Sequence, residues 1–391
     1  MDGTIRTAQR VVVIGGGVAG LSVAARLAQA GVPVTLLEAS RLGLAASTRN
    51  QGWLYSGAWF ALEQPELARM CFESLDVTRR FCPDCLDDRH EGMAFLISKP
   101  DTLATTWTQA WTGVGIPFEE IPRSKLFSLV DGLDQSLVHH AWLLPDRAFR
   151  PDVLLTRLAS AATNAGAEIR TETPVSKLVR EGDRVVEVLT GTGETIAARF
   201  VILAADAGGH ELLSEYSADV PGWQPSYTLV AVKSHLMALE PEVCSLPFCV
   251  VDRGGFNHVP HGPASVFGAN RWTAVPDFRD QRVEPQEIER LRAEIQVLFP
   301  RLRFDDHKCI EWAGTMVQAM HVEQIEPGRV PKPTVIDHAH ESPKITNLLS
   351  LYPGRASLWP HLAEDALKIV HDKLELPLPA TAVPPYVLPP R

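Results

Sequence analysis

Val11-Val12-Val13-Ile14-Gly15-Gly16-Gly17-Val18-Ala19-Gly20 is the stretch that decides the fold. Four β-branched residues in a row, with nothing polar between them, predict a strand buried on both faces of a parallel sheet. Glycines interrupt it, and from Val18 to Ala30 apolar residues return at helical spacing, with many Ala. Gly31 stops that predicted helix, and Val34 to Leu37 makes a second strand. In this setting Gly15 permits the tight turn, Gly17 lets the backbone approach a pyrophosphate, and Gly20 lets the helix pack on the strand. The N–H groups at the helix start, around Val18 and Ala19, point positive charge at phosphates. Glu38 ends the second strand at the spacing where an acid accepts hydrogen bonds from ribose hydroxyls. The reading is a dinucleotide-binding unit.

Working outward, 391 residues are too many for one core and suit two domains of ordinary size. A formal net charge of -10 argues against nucleic acid, whose phosphates demand a basic face. It leaves room for an anionic substrate, since a local arginine can override the global field. No apolar run is long enough to span a membrane, and the polar Met1 to Arg10 does not read as a secretory signal. A cytoplasmic protein with reduced thiols is therefore expected. Predicted α/β and antiparallel segments alternate along the chain, so two domains thread through one another. The expected limits are 1–90, 149–222 and 311–391 for a nucleotide domain, and 91–148 and 223–310 for a substrate domain. A proline-rich extended tail follows Leu376.

Beyond Glu38 the chain reads Ala39-Ser40-Arg41, then Ser47-Thr48-Arg49-Asn50-Gln51-Gly52. Here it resembles the D-amino-acid-oxidase-like FAD-dependent oxidoreductases, which include glycine oxidase, sarcosine oxidase and the FAD-linked glycerol-3-phosphate dehydrogenases. Trp142 to Leu158, Phe200 to Gly209 and Tyr352 to Ala366 are similar as well, although Asp206 stands where the family usually has glycine. The resemblance implies a Rossmann-type FAD domain interleaved with an antiparallel-sheet substrate domain, α/β plus α+β. It implies that Ala39, Ser40, Ser47, Arg49, Asn50, Gln51 and Gly52 run under the flavin. It adds Val175, Ala204, Ala205 and Gly314 to the FAD site, with Gly354, Arg355, Ala356, Ser357 and Leu358 as the loop at the flavin edge. Ser357 is expected to cap the last helix there. No Cys matches the family's covalent attachment point near Gly314, and Cys309 is offset, so noncovalent FAD is expected.

The substrate side carries fewer signals. Where the glycerol-3-phosphate group has His and Arg, this chain has Gln51, Tyr55 and Trp59, which disfavours a phosphorylated polyol and suggests an aromatic pocket wall. Arg271 is a candidate carboxylate anchor, because a guanidinium binds carboxylates through two parallel bonds. His258 and His261 are candidate bases for the amine or hydroxyl proton. Cys82-Pro83-Asp84-Cys85, with Cys71 and His90 nearby, reads as structural thiols with no metal, since only one paired spacing is present.

The expected activity is oxidation of a small amine, amino acid or hydroxy acid by hydride transfer to flavin N5, with O2 or a quinone-like acceptor. Two alternatives stay open: an NAD(P)H-dependent flavin hydroxylase, and a non-catalytic flavin-binding protein. The substrate, the acceptor and the oligomeric state are not legible in the sequence.

Overall fold

The glycine-rich stretch folds as its spacing predicts. In the computed structural model, which describes residues 10–99, 102–219, 227–321 and 332–376, Val11–Ile14 is a strand and Val18–Gln29 a helix. The strand is central in a six-stranded sheet, between Phe200–Leu203 and Val34–Leu37. Glu168–Arg170 lies beyond one neighbour, and Leu348–Tyr352 and Thr334–Asp337 beyond the other. Only Thr334–Asp337 runs antiparallel.

Alternation along the first strand explains why all four residues are apolar. Val11 and Val13 pack under the helices Val18–Gln29, Pro151–Asn164 and Trp359–Leu374. Val12 and Ile14 pack on the other face, under a three-stranded sheet built from Val175–Glu181, Arg184–Thr190 and Thr195–Ala197. Each is at most 4% exposed, and burying one such side chain is worth roughly 1.5–3 kcal/mol.

The second sheet has nine strands and is mainly antiparallel. Tyr227–Glu240 is its long spine, paired along its whole length with Lys308–His321. Ala264–Gly268, Phe256–His261, Phe248–Val250, Met93–Ile97 and His140–Leu144 follow in order. One pair, Phe248–Val250 with Met93–Ile97, is parallel. The outer face packs Phe248, Phe256 and Phe267 against the helix Pro285–Leu298. The inner face packs Phe95, Cys249 and Val259 with Trp53, Tyr55 and Phe60.

The six-stranded sheet draws on three separate stretches of chain, so the sheets interleave. The return to it comes later than expected: a limit at 310 cuts Lys308–His321, which stays with the antiparallel sheet to its end. The proline-rich tail and the expected domain limit at 222/223 lie outside the described residues. Among the described residues, no helix is long and apolar enough to cross a membrane.

Candidate active site

At the nucleotide end, two glycines are fixed by contact. Gly15 has φ +114°, and a Cβ there would sit 2.4 Å from the Ala204 carbonyl oxygen. A Cβ on Gly20 would sit 1.9 Å from the Gly15 oxygen. At Gly17 a Cβ would meet only the Ser47 hydroxyl, so that side of the loop is the open one. Gly17 begins the helix without a side-chain cap, and the Val18 N–H donates to Ser47 Oγ at 2.9 Å. Glu38 accepts from the Gly16 N–H at 2.6 Å and from the Ser40 N–H at 2.9 Å. That holds the carboxylate beside the glycine turn while each oxygen keeps a lone pair for another donor. Ala39 and Ser40 are exposed, and the turn after Arg170 that leads to Val175 is tied to this segment through the Thr173 N–H on the Glu38 carbonyl, 2.8 Å. Ala204 donates its N–H to the Ile14 carbonyl, and Ala205 follows it.

The segment from Ser47 to Gly52 is clamped between the two sheets. Asn50 folds it, accepting from the Gly52 N–H and donating to the Ser47 carbonyl, both at 2.8 Å. From the antiparallel sheet, the Trp312 indole donates to the Arg49 carbonyl at 3.1 Å, and Gly314 lies against that same carbonyl. His261 Nε2 donates to the Gln51 carbonyl at 2.8 Å. Its Nε2 proton is therefore engaged with backbone, and the bond ties His261 to this segment. Burial pulls its pKa down, which keeps it neutral for that bond. Gly268 leaves room for the Gln51 side chain: a Cβ would come 3.2 Å from Gln51 Oε1.

The loop Gly354–Leu358 meets the chain just beyond this segment, at Tyr55 and Phe60. Gly354 has φ +65°. Ser357 does not cap the last helix, whose N-cap is Leu358; its hydroxyl is buried with no hydrogen-bond partner among the described residues. Arg355, expected at the flavin edge, reaches the aromatic residues of the 55–60 stretch. It is buried, and its guanidinium carbon lies 4.6 Å from the Tyr55 ring centre, 4.8 Å from Phe60 and 5.1 Å from Trp272. Nη1 donates to the Tyr55 hydroxyl at 3.1 Å. Nε and Nη2 are buried with no partner among the described residues.

Other candidates fall elsewhere. Trp59 packs against Trp107 and Gly255. His258 is corrected outright: it points to the outer face, stacked on Phe248, and bonds Ser265 Oγ at 2.8 Å and the Leu246 carbonyl at 3.1 Å. Burial drives its pKa down to about 3. It is a core histidine. Arg271 is exposed and lines a pocket of about 210 Å³ on the outer face, beside Arg253 and Arg290. Its neighbour Trp272 is the residue that turns inward. Asp206 sits at φ +50°, which explains why glycine suits the position, and accepts from the Val317 N–H at 3.1 Å. Cys82 and Cys85 are both fully buried at the end of the helix Pro65–Phe81.

The family model described as FAD dependent oxidoreductase matches residues 10–349. The chain belongs to that family. This oxidoreductase is 29% identical to glycine oxidase of Pseudomonas aeruginosa over 320 residues, 78% of this chain and 82% of that protein. It is 27% identical over 376 residues to one component of the anaerobic glycerol-3-phosphate dehydrogenase of Haemophilus influenzae. That match takes in 93% of this chain but 64% of the relative, so the chain spans less than two thirds of its length. The fold matches crystalline glycine oxidase from Geobacillus kaustophilus with a TM-score of 0.71 at 20% identity, covering 98% of this chain and 99% of that one. FAD is its cofactor, and the residues fit it. Gly15 and Gly20 form a turn that no side chain can enter, Gly17 leaves the helix start open, and Glu38 stands ready for a diol.

Proposed function

We propose that this oxidoreductase oxidises a small amino acid, or a related amine or hydroxy acid, whose carboxylate is held by Arg355. The observation that carries the reading is a buried guanidinium with two unpartnered nitrogens on one side and aromatic rings on the others. Burying such a charge without an anion costs several kcal/mol, and a carboxylate removes the cost through two parallel bonds. Tyr55, Phe60 and Trp272 exclude water and fix the plane of the guanidinium. With Gln51, Tyr55 and Trp59 all uncharged, a carboxylate is favoured over a dianionic phosphate. The glycine oxidase relative is consistent with an amino-acid substrate.

When bound, FAD supplies the acceptor for the hydride leaving a carbon next to nitrogen or oxygen. This chain's own residues bind and orient: Arg355 holds the carboxylate, and the Tyr55 hydroxyl braces Arg355. No histidine is needed as base if the amine enters neutral. FAD is held noncovalently in this reading. Burial pushes the Cys71 thiol up to about 12 and the Cys249 thiol well above its ordinary value, which keeps these two protonated. Cys309 packs toward the outer layer. Electrons pass on to O2 or a quinone-like acceptor.

The test is anaerobic mixing of the yellow protein with small amino acids, N-methyl amino acids, hydroxy acids and the matching amines that lack a carboxylate. Loss of visible flavin absorbance is expected only with the carboxylates. Equal bleaching by the decarboxylated amines, or bleaching by NADPH or glycerol 3-phosphate alone, would overturn the reading.

A further inference from the structure

A second buried charge lies beside the Arg355 cage. Asp146 sits in the turn between the strands His140–Leu144 and Arg147–Ala148 and is 0% exposed. It accepts the Trp53 indole N–H at 2.7 Å and also the Ser56 hydroxyl, which in turn accepts the Ala58 N–H at 3.2 Å. Trp53 and Tyr55 are stacked, ring centres 4.3 Å apart and planes 17° from parallel. Tyr55 then meets Arg355 through its hydroxyl. The order of contact runs from Asp146 through Trp53 and Tyr55 to Arg355, and each link is a hydrogen bond or a ring stack between buried side chains.

We propose that Asp146 is a positioning residue for the substrate carboxylate: it locks the Trp53–Ser56 frame that holds Tyr55 against Arg355. This rests on the reading of Arg355 given above. Asp146 never touches the substrate. A carboxylate suits the post because the indole N–H is donor only and the serine hydroxyl also donates here, so both donors need an acceptor. At this depth solvation is lost, and both of its side-chain bonds come from neutral donors. The titratable or charged groups grouped around it are Tyr55, Cys71, Cys249 and Arg355. Burial lifts the Asp146 pKa to about 6, so at neutral pH it is still an acceptor on both oxygens.

The experiment uses the FAD-loaded enzyme and acetate or phenylacetate as unreactive carboxylate probes, followed by the change in the flavin's visible spectrum. Asp146→Leu and Trp53→Phe are each expected to weaken probe binding about tenfold, the size expected for a lost charge-assisted bond. FAD content should stay near one per chain. With a reducing substrate, KM should rise while the limiting rate of flavin reduction changes little. Asp146→Asn keeps an acceptor for the indole and should recover most of the affinity. In the double variant Trp53→Phe with Asp146→Asn, the second change should add little, because the indole bond is already gone and the amide oxygen is free to accept from the Ser56 hydroxyl.

If Asp146→Leu does not fold, the Trp53→Phe and Asp146→Asn pair decides the matter. Wild-type probe affinity in Trp53→Phe would overturn the proposal. Arg355→Ala separates the two readings. Should it leave probe binding intact, the carboxylate reading fails as a whole. Should it weaken binding while Trp53→Phe does not, Arg355 stands and only the role of Asp146 falls.

Discussion

Two buried cations lie on opposite sides of the nine-stranded sheet, and they are neutralised in different ways. On the outer side, Lys233 has a side chain 1% exposed and places Nζ 2.6 Å from Glu284 and 3.1 Å from Asp280. On the inner side, Arg355 has three aromatic rings and one phenol hydroxyl around it, and no carboxylate among the described residues. A cation that the chain itself has paired is part of the scaffold. A cation that the chain has caged and left with two open nitrogens is suited to an anion from outside. Burial of charge is therefore not by itself a site signal; the missing partner is.

Truncating each cation puts that contrast at risk. Arg355→Ala should lower kcat/KM by roughly 30-fold to several-thousand-fold, the cost of removing one member of a desolvated charge pair. Arg355→Lys should recover only part, because an ammonium lacks the planar fork. FAD content should not change in either. Lys233→Met should do the reverse, with kcat/KM within about twofold of wild type and unfolding stability reduced by about 1–3 kcal/mol. Stopped-flow flavin reduction and denaturant titration read the two effects separately. A large loss of rate in Lys233→Met would erase the distinction between them.

What is legible in the sequence follows the same division. The βαβ unit is local: strand, turn and helix follow one another directly, and their periodicity and glycines are visible in the chain. Glu38, Asn50 and Gly52 are also local, because each closes a turn on its own neighbours. The cage is not local. It gathers Tyr55, Phe60, Trp272 and Arg355 from three distant stretches, and no pattern in one stretch announces the others. Sequence reasoning puts Arg355 at the flavin edge and Tyr55 on a pocket wall, with nothing to join them. The long strand Lys308–His321 is hidden because Gly314 and a mixture of Glu, Thr and Gln break its alternation. His258 differs from its expected role by one step of pleat: residues 257 and 259 face inward, 256 and 258 outward.

The two faces also titrate in opposite directions. His258 has a folded pKa of about 3, well below its ordinary value. Its stabilising share is complete above the unfolded value near 6.5 and is lost as pH falls toward 3, at about 1.4 kcal/mol per unit. Asp146 has a folded pKa of about 6, above the ordinary carboxylate range. Its share is complete below the unfolded value and lost as pH rises through 6. Relative to wild type, Asp146→Asn should therefore gain stability between pH 4 and pH 7, by about 3 kcal/mol across that span. His258→Gln should gain as pH falls from 6.5 to 5, by about 2 kcal/mol. Thermal melts across this range check both, and a pH-independent difference in either variant would place that group at the surface.

Arg271 and Trp272 give the smallest and most discriminating test, since one backbone step separates the two faces. Arg271 is exposed over the outer pocket, whereas Trp272 lies over the Arg355 guanidinium with its indole N–H on Asn270 Oδ1 at 2.9 Å. Arg271→Ala should then cost less than about 0.5 kcal/mol in stability, as exposed substitutions do, and leave carboxylate affinity within error. Trp272→Leu should remove one wall of the cage and weaken carboxylate binding by about 0.5–2 kcal/mol, the span measured for cation–π contacts from exposed to desolvated settings. Titration of both variants with acetate, read on the flavin spectrum, separates them directly. If Arg271→Ala loses affinity and Trp272→Leu does not, the anchor is on Arg271, the loop turns over when a ligand binds, and the assignment of the two faces has to be reversed at this point in the chain.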